Sequence, residues 1–304
     1  MNSVAFSSTS RLSIAVIGAG KIGSTFAYQL ARAGHEVTAI ARPGSVRLQQ
    51  LQRDRGVILS TGERAEMHIA DRLDEETVYD LVVVTVLAYQ VGSLLPALQR
   101  SKAQCVHFMF VTFEPERLME AIGSNRCTFG MPAVMVTMNS DGKLKPTINP
   151  RQKTQHSEQR LVDLFNQAGA PSVLEADMML WLRCHVPLCI AFESIAVAGQ
   201  RRGGGATFGE AMVVARGLHS GFAIVKALGY TLYPSAKPII NSLPTFIIAF
   251  LMWVFSRVPS MRELLATGLN ECRALIDTLL AAAGEAKRAP PKDIKAVLAM
   301  RPAK

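Results

Sequence analysis

Residues 12–23 read LSIAVIGAGKIG, in which an apolar run leads directly into three glycines spaced GxGxxG. The apolar run predicts a short buried strand. Ile22, Phe26 and Leu30 follow at i, i+4 and i+8, a spacing that predicts one face of a helix, and Gly34 marks where that helix ends. The stretch therefore predicts a strand, a tight turn and a helix in direct succession.

The three glycines have distinct physical roles in such a turn. Gly18 permits the tight bend, Gly20 leaves room for a pyrophosphate to approach the backbone, and Gly23 lets the helix pack closely on the strand. The helix N-terminus adds free amides and the positive end of a dipole. The sequence thus predicts a dinucleotide-binding loop, whose cofactor-binding residues are Gly18, Ala19, Gly20, Lys21, Ile22 and Gly23.

The rest of the first half repeats this alternation. Apolar runs at 36–41, 81–87 and 105–111 are separated by amphipathic stretches, which is the pattern of a doubly wound parallel sheet. Residues 129–149 are richer in Gly, Pro and Asn and predict a hairpin or irregular strands at the sheet edge. We therefore assign residues 11–174 to a dinucleotide-binding domain of the Rossmann type.

The second half of the chain has a different character. From residue 175 the sequence is apolar and helical in period, which predicts an all-α domain over 175–286 for substrate binding and dimerisation. Residues 1–10 are polar and Ser-rich and are interpreted as a flexible leader. Residues 287–304 hold six basic side chains and one acidic one and form a basic tail. The predicted fold class is α/β, with a doubly wound N-terminal Rossmann sheet followed by an all-α C-terminal domain.

The residue after the second strand bears on which dinucleotide binds. An acidic residue there favours NAD because it accepts hydrogen bonds from the adenosine ribose, but this chain has Arg42. Arg42, with Ser45 and Arg47 close behind, suits a 2′-phosphate because a guanidinium offers a fork of donors to phosphate oxygens. NADP is therefore the predicted cofactor. The alternative is that both arginines are solvated surface charges.

Composition argues against several other classes of protein. The net charge is +9, but residues 287–304 supply +5 of it, and no basic run is interleaved with aromatic residues, so nucleic acid is not an expected partner. The five cysteines form no CxxC pair and no Cys/His spacing of a zinc site, so neither a metal nor a disulfide framework is predicted. These features favour a cytoplasmic protein.

Ten consecutive apolar residues, FIIAFLMWVF at 246–255, raise the question of a membrane span. A helix of this length rises only about 15 Å, whereas a span needs roughly 20 apolar residues. We therefore interpret the run as a buried core helix or a subunit interface, and contact with a membrane is not expected. Its stripe of Ile247, Leu251 and Val254 must be covered, which predicts a homodimer.

With these motifs in place, the sequence resembles the ketopantoate reductase (2-dehydropantoate 2-reductase) family. The resemblance implies a Rossmann domain, a helical C-terminal domain and reduction of a 2-oxo acid with NADPH. It rests on the Gly18–Gly23 loop, on Arg42, on TVLAYQ at residues 85–90, on the helix starting near Trp181, and on Ser260-Met261 followed by Glu271.

The chain departs from the family pattern at residues that carry the chemistry. The resemblance implies a lysine directly before Ala-Tyr-Gln, where this chain has Leu87, a position we retain among those that contact the cofactor. It also implies Lys, Asn and Asn at i, i+4 and i+8 on one helix, and here that stripe reads Arg183, Pro187 and Ala191. Because an arginine stays protonated, Arg183 would anchor an anionic substrate rather than donate a proton.

Other side chains are then candidates to supply the proton that carbonyl reduction requires. His185, with an ordinary pKa of about 6.5, suits acid–base work, although helical geometry turns it about 200° from Arg183 unless Pro187 distorts the helix. Tyr89 is a second candidate because a phenol can deliver a proton. Glu271 stands near the place of a family glutamate that contacts substrate, one residue out of the expected spacing. Each has a structural alternative as a packing or surface residue.

The predicted function is reduction of a small 2-oxo acid-like carbonyl substrate by hydride transfer from NADPH. The candidate catalytic residues are His185, Arg183, Tyr89 and Glu271. The alternative is a catalytically inactive NADP-binding sensor or structural protein of the same fold, which the altered helical stripe favours. A membrane-associated reductase is the third possibility.

Overall fold

The computed structural model describes residues 11–265 and 269–303, which form two compact units. Among these residues, the first unit contains 11–110 and 116–178, and the second contains 111–115 and those from 179 onward. The leader predicted for residues 1–10 lies outside the described residues.

The first unit alternates strands and helices. Its described strands are β1 (Ser13–Ile17), β2 (Glu36–Ile40), β3 (Gly56–Ile58), β4 (Arg64–Glu66), β5 (His68–Ala70), β6 (Leu81–Val84), β7 (Val106–Met109), β8 (Cys127–Met131), β9 (Met135–Met138), β10 (Leu144–Thr147), β11 (Thr154–His156) and β12 (Ser172–Leu174). The helices are α1 (Lys21–Arg32), α2 (Val46–Asp54), α3 (Leu95–Arg100), α4 (Pro115–Ile122) and α5 (Gln159–Gln167), with a 3-10 helix at Ala88–Ser93.

Eight of these strands form one sheet in the order β12-β11-β8-β7-β6-β1-β2-β5. All neighbouring pairs in it are parallel except β8 and β11. From β1 the chain proceeds to β2 on one side and later returns to β6 on the other, so the strand order reverses at the β1–β6 junction. The predicted doubly wound Rossmann sheet is confirmed. The predicted hairpin is β9–β10, which is antiparallel and separate from the main sheet.

The central strands explain why their sequences are continuous apolar runs. β6 and β7 are buried along their whole length, as is β1 after Ser13. A parallel strand covered on both faces has no polar face to alternate with. On α1 the predicted stripe turns inward, where Phe26 meets Phe165 of α5 edge-on with ring centroids 5.1 Å apart. Gly34 ends this segment at a φ of +94°, as the sequence predicts.

A chain of hydrogen bonds between imidazoles lies inside this sheet. The Ser172 hydroxyl donates to the Ala170 carbonyl (2.8 Å), so its oxygen is free to accept from His156 Nε2 at 3.1 Å. His156 Nδ1 lies 3.0 Å from His107 Nε2, and His107 Nδ1 lies 2.9 Å from the Thr128 hydroxyl oxygen. One arrangement of protons satisfies the whole chain with both imidazoles neutral.

The described part of the second unit is helical. Its helices are α6 (Met178–Arg201), α7 (Phe208–Ala227), α8 (Ala236–Ser242), α9 (Thr245–Phe255), α10 (Pro259–Leu265), α11 (Leu269–Ala286) and α12 (Pro291–Ala299). Among the described helices, only α6 is by itself long and apolar enough to cross a membrane, and 78% of its apolar window is buried in the protein. α6 is thus a core helix of the second unit.

The basic segment from residue 287 carries α12, which packs on α7. Gly217 of α7 makes room for Met300, because a Cβ at Gly217 would lie 2.4 Å from the Met300 side chain. Met300 is buried, and its carbonyl accepts a hydrogen bond from Ser194 at 2.7 Å. The end of the described chain therefore belongs to the core of the second unit.

The apolar run at 246–255 is a core helix on one face only. The buried side chains of α9 are Ile248, Ala249 and Met252. Its outer side chains Phe246, Phe250, Leu251 and Val254 are 42–61% exposed. The core-helix interpretation therefore fits the inner face and fails for the outer face.

We expect acid to destabilise the protein because its buried histidines are neutral in the folded state and protonated in the unfolded state. Burial lowers the pKa of His107 well below 6.5 and lowers the pKa values of His156 and His185 to about 3. The unfolded chain takes up these protons near pH 6.5, but the folded chain takes them up only far below that pH. The contribution of these histidines to the free energy of unfolding is therefore complete above about pH 6.5. It decreases as the pH drops towards about 3. We expect the urea midpoint to decrease steadily between about pH 7 and pH 4.

Two variants separate this effect from general acid sensitivity. His156→Gln keeps a hydrogen-bonding amide but removes one titrating ring, so its stability should depend less steeply on pH than that of the wild type. His68→Gln removes an exposed histidine instead of a buried one and serves as the matched control. A wild-type midpoint that stays constant over this pH range would contradict the argument.

Candidate functional site

The glycine loop between β1 and α1 is fixed by hydrogen bonds to the next strand. Gly18 has a φ of +93°, a conformation that favours glycine. Its amide and that of Ala19 both donate to the carbonyl of Ile40, at 3.0 and 3.2 Å, at the end of β2. The loop therefore lies at the carboxyl ends of β1 and β2, where open α/β sheets bind their ligands.

Gly23 and Gly20 differ in what surrounds them. A Cβ on Gly23 would lie 2.3 Å from the Gly18 carbonyl oxygen and 2.3 Å from the hydroxyl of Thr85, so the fold itself requires glycine there. A Cβ on Gly20 would meet no atom closer than 3.9 Å. Gly20 also has ordinary extended dihedrals, with φ −74° and ψ −158°. Nothing in the packing demands glycine at position 20, and the open space beside it is available to a ligand.

The first turn of α1 adds an electrostatic preference to this space. Gly20 is the N-cap residue and provides no side-chain cap, and the first turn contains no acidic residue. Within the part of the chain that the structure describes, the amides of Ile22 and Gly23 have no hydrogen-bond acceptor. Unsatisfied amides at the positive end of a helix dipole favour an anion. The loop and helix together can hold a diphosphate.

Arg47 does not serve the 2′-phosphate role that the sequence suggested for it beside Arg42. Its guanidinium donates to the carbonyls of Ala19 (3.0 Å) and Gly142 (2.8 Å) and to the hydroxyl of Ser24 (2.8 Å). Burial lowers the Arg47 pKa to about 10, which leaves the side chain charged at neutral pH. Arg47 therefore ties α2 to the glycine loop, to α1 and to the β9–β10 turn.

Arg42 is placed differently. Its side chain is exposed, and none of the described residues accepts a hydrogen bond from its guanidinium. It stands just before Ser45, the N-cap of α2, whose hydroxyl accepts from the Leu48 amide at 3.2 Å. An available guanidinium beside a helix N-terminus is suited to an additional phosphate.

The segment after β6 forms the other side of the loop. The Thr85 hydroxyl donates to the carbonyls of Ile17 (3.1 Å) and Gly18 (2.9 Å). Leu87 precedes the 3-10 helix, and its amide donates to the side chain of Gln90. Tyr89 is 45% exposed, and its hydroxyl oxygen accepts from the Gln90 side chain at 3.3 Å. Leu87 and Tyr89 thus belong to the first unit and follow the strand that borders the glycine loop.

The remaining candidate residues lie in the second unit. Two of them, Arg183 and His185, are on α6 and contact different neighbours. Arg183 is 7% exposed, and its guanidinium carbon lies 4.8 Å from the centre of the Tyr230 ring. His185 instead stacks on Trp181, one helical turn earlier, with ring centroids 4.4 Å apart. The helix continues through Pro187, so His185 and Arg183 diverge as helical geometry predicts.

His185 shares its surroundings with a lysine. Lys237 of α8 is buried, and its Nζ donates to the Trp181 carbonyl at 2.8 Å and lies 4.2 Å from the centre of the Trp181 ring. Burial, with a smaller contribution from the Lys237 charge, lowers the His185 pKa to about 3. The imidazole is therefore neutral near pH 7, and its Nδ1 is enclosed without a hydrogen-bond partner among the described residues.

Glu271 lies in the helical core and is only 2% exposed. Burial, assisted by the carboxylates of Glu193 and Glu271, raises the pKa values of the Cys189 and Cys272 thiols. Two carboxylates from α6 and α11 and two thiols therefore share one enclosed region. The alternative of a solvated charge on the helix surface is wrong for Glu271.

Sequence reasoning missed Lys237 and the structural role of Arg47. Lys237 is a lone basic residue followed by Pro238, and its acceptor is a backbone carbonyl 56 positions earlier. Arg47 bonds the carbonyl of Gly142, 95 positions later. Carbonyl acceptors at such separations leave no pattern in the sequence that could reveal them.

Comparison with known proteins agrees with this geometry. The family model of ketopantoate reductase PanE/ApbA matches residues 14–156. None of the curated protein sequences matches the chain.

Solved structures with the same fold extend along nearly the whole chain. A PanE/ApbA family ketopantoate reductase from Ralstonia eutropha JMP134 has a TM-score of 0.68 and 19% identity and covers 95% of each chain. The 2-dehydropantoate 2-reductase of Methylococcus capsulatus has a TM-score of 0.63 and 17% identity, covering 95% of this chain and 96% of its own. D-mandelate dehydrogenase in complex with NADH has a TM-score of 0.68 and 15% identity, covering 95% and 97%.

At these identities the solved structures establish the fold, and the family model adds the relationship of the first unit. The glycine loop lies within the matched residues 14–156, and the helical second unit is covered by the solved structures alone. Residues 14–156 are therefore similar to the ketopantoate reductase family, and nearly the whole chain shares its fold with solved structures of that family.

Proposed function

We propose that the protein is an NADPH-dependent oxidoreductase that reduces the carbonyl group of a small 2-oxo acid-like substrate. The observation that carries the proposal is the open space at Gly20, beside the unsatisfied amides of α1. A glycine that packing does not require, at the N-terminus of a helix after β1, is accounted for by a bound diphosphate. The family relationship supports oxidoreductase chemistry.

The preference for NADP over NAD rests on Arg42. Its exposed guanidinium stands where an acidic side chain would bind a ribose 2′-hydroxyl, and a 2′-phosphate is the complementary group. Among relatives of this fold, D-mandelate dehydrogenase has been solved with NADH. Both nucleotides therefore belong in the test.

The bound nicotinamide would supply the hydride, and the residues of this chain would supply binding and the proton. Arg183, charged and stacked on Tyr230, would hold an anionic substrate group. His185 is neutral near pH 7 and so would act through hydrogen bonding rather than as an imidazolium acid. The Tyr89 phenol and the Lys237 ammonium are the remaining groups able to release a proton.

A second candidate function is cofactor binding without turnover. The helical stripe that the family resemblance fills with Lys, Asn and Asn here carries Arg183, Pro187 and Ala191, and the last two are buried apolar residues. Under this alternative the protein is a sensor or structural protein that retains the dinucleotide site. We assign either form to the cytoplasm, where the five cysteines, all of them free thiols, would stay reduced.

Replacing Gly20 tests the dinucleotide site without disturbing the fold. Gly20→Val places a branched side chain in open space at ordinary dihedrals, so it should fill the diphosphate position and weaken NADPH binding at least about tenfold. The measurement is isothermal titration calorimetry with thermal unfolding alongside. Gly284→Val, also in open space but in α11, should bind as the wild type does. Unchanged affinity in Gly20→Val would refute the site.

Neutralising Arg42 tests the choice of cofactor. Arg42→Gln should lower NADPH affinity by about tenfold or more, since a charge-assisted contact to phosphate is lost, and should leave NADH affinity nearly unchanged. Arg151→Gln removes the same charge from an exposed residue of the first unit and serves as the matched control. A parallel loss for both nucleotides would mean that Arg42 does not contact a 2′-phosphate.

A turnover screen separates the enzyme from the sensor. We expect NADPH oxidation with at least one 2-oxo acid, followed at 340 nm, and a loss of at least about tenfold in kcat/KM for Arg183→Met, mainly through KM. Binding of NADPH without oxidation over a panel of 2-oxo acids and simple carbonyls would favour the sensor.

A further inference from the structure

The outer side of α9 is an exposed apolar surface of the second unit. It consists of Phe246, Phe250, Leu251 and Val254, which are 61, 53, 53 and 42% exposed, and we call it the α9 apolar face. Because its members recur at i, i+4, i+5 and i+8, they lie on one side of the helix. A contiguous group of this kind on a protein surface marks an interaction site.

The sequence segment that carries this face contains basic residues and no acidic ones. No Asp or Glu occurs from residue 211 to residue 262, a segment that contains the basic residues Arg216, Lys226, Lys237, Arg257 and Arg262. Lys237 is buried, and the other four are exposed or half-buried. The preceding acid, Glu210, is paired with Arg202 at 3.0 Å. The segment that carries the apolar face is therefore complementary to an anionic surface.

The C-terminal end of α9 combines an aromatic ring with a cation. The Arg257 guanidinium carbon lies 3.7 Å from the centre of the Trp253 ring, and the same side chain donates to the Trp253 carbonyl at 3.0 Å. Trp and Arg side chains with an apolar body and a polar tip are suited to the boundary between acyl chains and headgroups. This pair stands directly beside Val254 of the apolar face.

We propose that the α9 apolar face docks the protein onto the surface of a membrane rich in anionic lipid. The eleven residues of α9 rise only about 16 Å, too little to cross a bilayer. α8 and α9 are bent by 110° at their junction and so do not form one straight span. With Ile248 and Met252 buried against the protein, α9 would lie in the membrane plane and insert only its outer side chains.

A second copy of the chain is the competing occupant. In a two-fold symmetric dimer the same patch faces itself, so the acid-free basic segment of one copy would meet that of the other. Like charges brought together in this way oppose association. An anionic lipid surface suits both the apolar face and the basic residues of its segment, so we favour it over the homodimer that the stripe of Ile247, Leu251 and Val254 predicts.

Vesicle co-sedimentation of the full-length protein, without nucleotide, tests the proposal. Vesicles of phosphatidylcholine containing about 30% phosphatidylglycerol should sediment the wild type, and pure phosphatidylcholine should sediment at least about tenfold less. Raising the ionic strength to about 1 M should weaken binding, since charges contribute to it. Because no cofactor is present, the result does not depend on the proposed oxidoreductase activity.

The double variant Phe250→Ser/Leu251→Ser should reduce the partition coefficient at least about tenfold, since two apolar side chains no longer insert. Both residues are more than half exposed, so circular dichroism and thermal unfolding should match the wild type. The matched control is Val46→Ser/Val78→Ser, which removes two apolar side chains that are 68% and 55% exposed in the first unit. The control should bind vesicles as the wild type does.

Several outcomes would overturn the proposal. One is equal binding to neutral and anionic vesicles, and another is wild-type binding by Phe250→Ser/Leu251→Ser. A third is a wild type that ignores vesicles and sediments as a dimer in analytical ultracentrifugation, with the double variant monomeric. That result would assign the face to a second copy.

Discussion

The close approach of α1 to the sheet is the constraint on which the first unit depends. At Gly23 the carbonyl of Gly18 and the hydroxyl of Thr85 leave no room for a methyl group. This contact joins β1, the start of α1 and the end of β6, the three elements that meet where the strand order reverses. The first-turn amides of α1 are held beside Gly20 as a result, so one steric requirement positions the atoms that we propose to bind the diphosphate.

The sequence predicted the parts of the fold whose physical cause is local. Strands buried on both faces must be apolar throughout, which is why β1, β6 and β7 stand out in the sequence, and a glycine at positive φ ends the segment after α1 at Gly34. The three-residue strands β3 and β4 are too short to show alternation, and they pair with each other outside the main sheet. Short elements of this kind depend on contacts that no local pattern carries.

In the candidate site, too, the features with a local cause were predictable and those that depend on distant contacts were not. The glycine loop was predictable because its residues are consecutive, and the divergence of Arg183 from His185 follows from helical geometry alone. The neighbours of these two residues were not predictable: Tyr230 and Lys237 lie roughly 50 positions further along the chain. An apolar helical sequence also leaves open which face is covered, as the half-exposed α9 demonstrates. Burial then decides the protonation of His185 and the enclosure of Glu271, neither of which composition reveals.

Arg42 and Arg47 are five residues apart, and their side chains have different surroundings. Arg47 donates hydrogen bonds to Ala19, Ser24 and Gly142, whereas Arg42 lies in a short exposed turn. Residues 42–44 of this turn are all exposed, and the Arg42 side chain takes no part in the hydrogen bonds that Arg47 makes to the glycine loop and α1. If Arg42 has the role proposed for it, a substitution at that position would alter nucleotide preference without removing any of the hydrogen bonds that Arg47 makes.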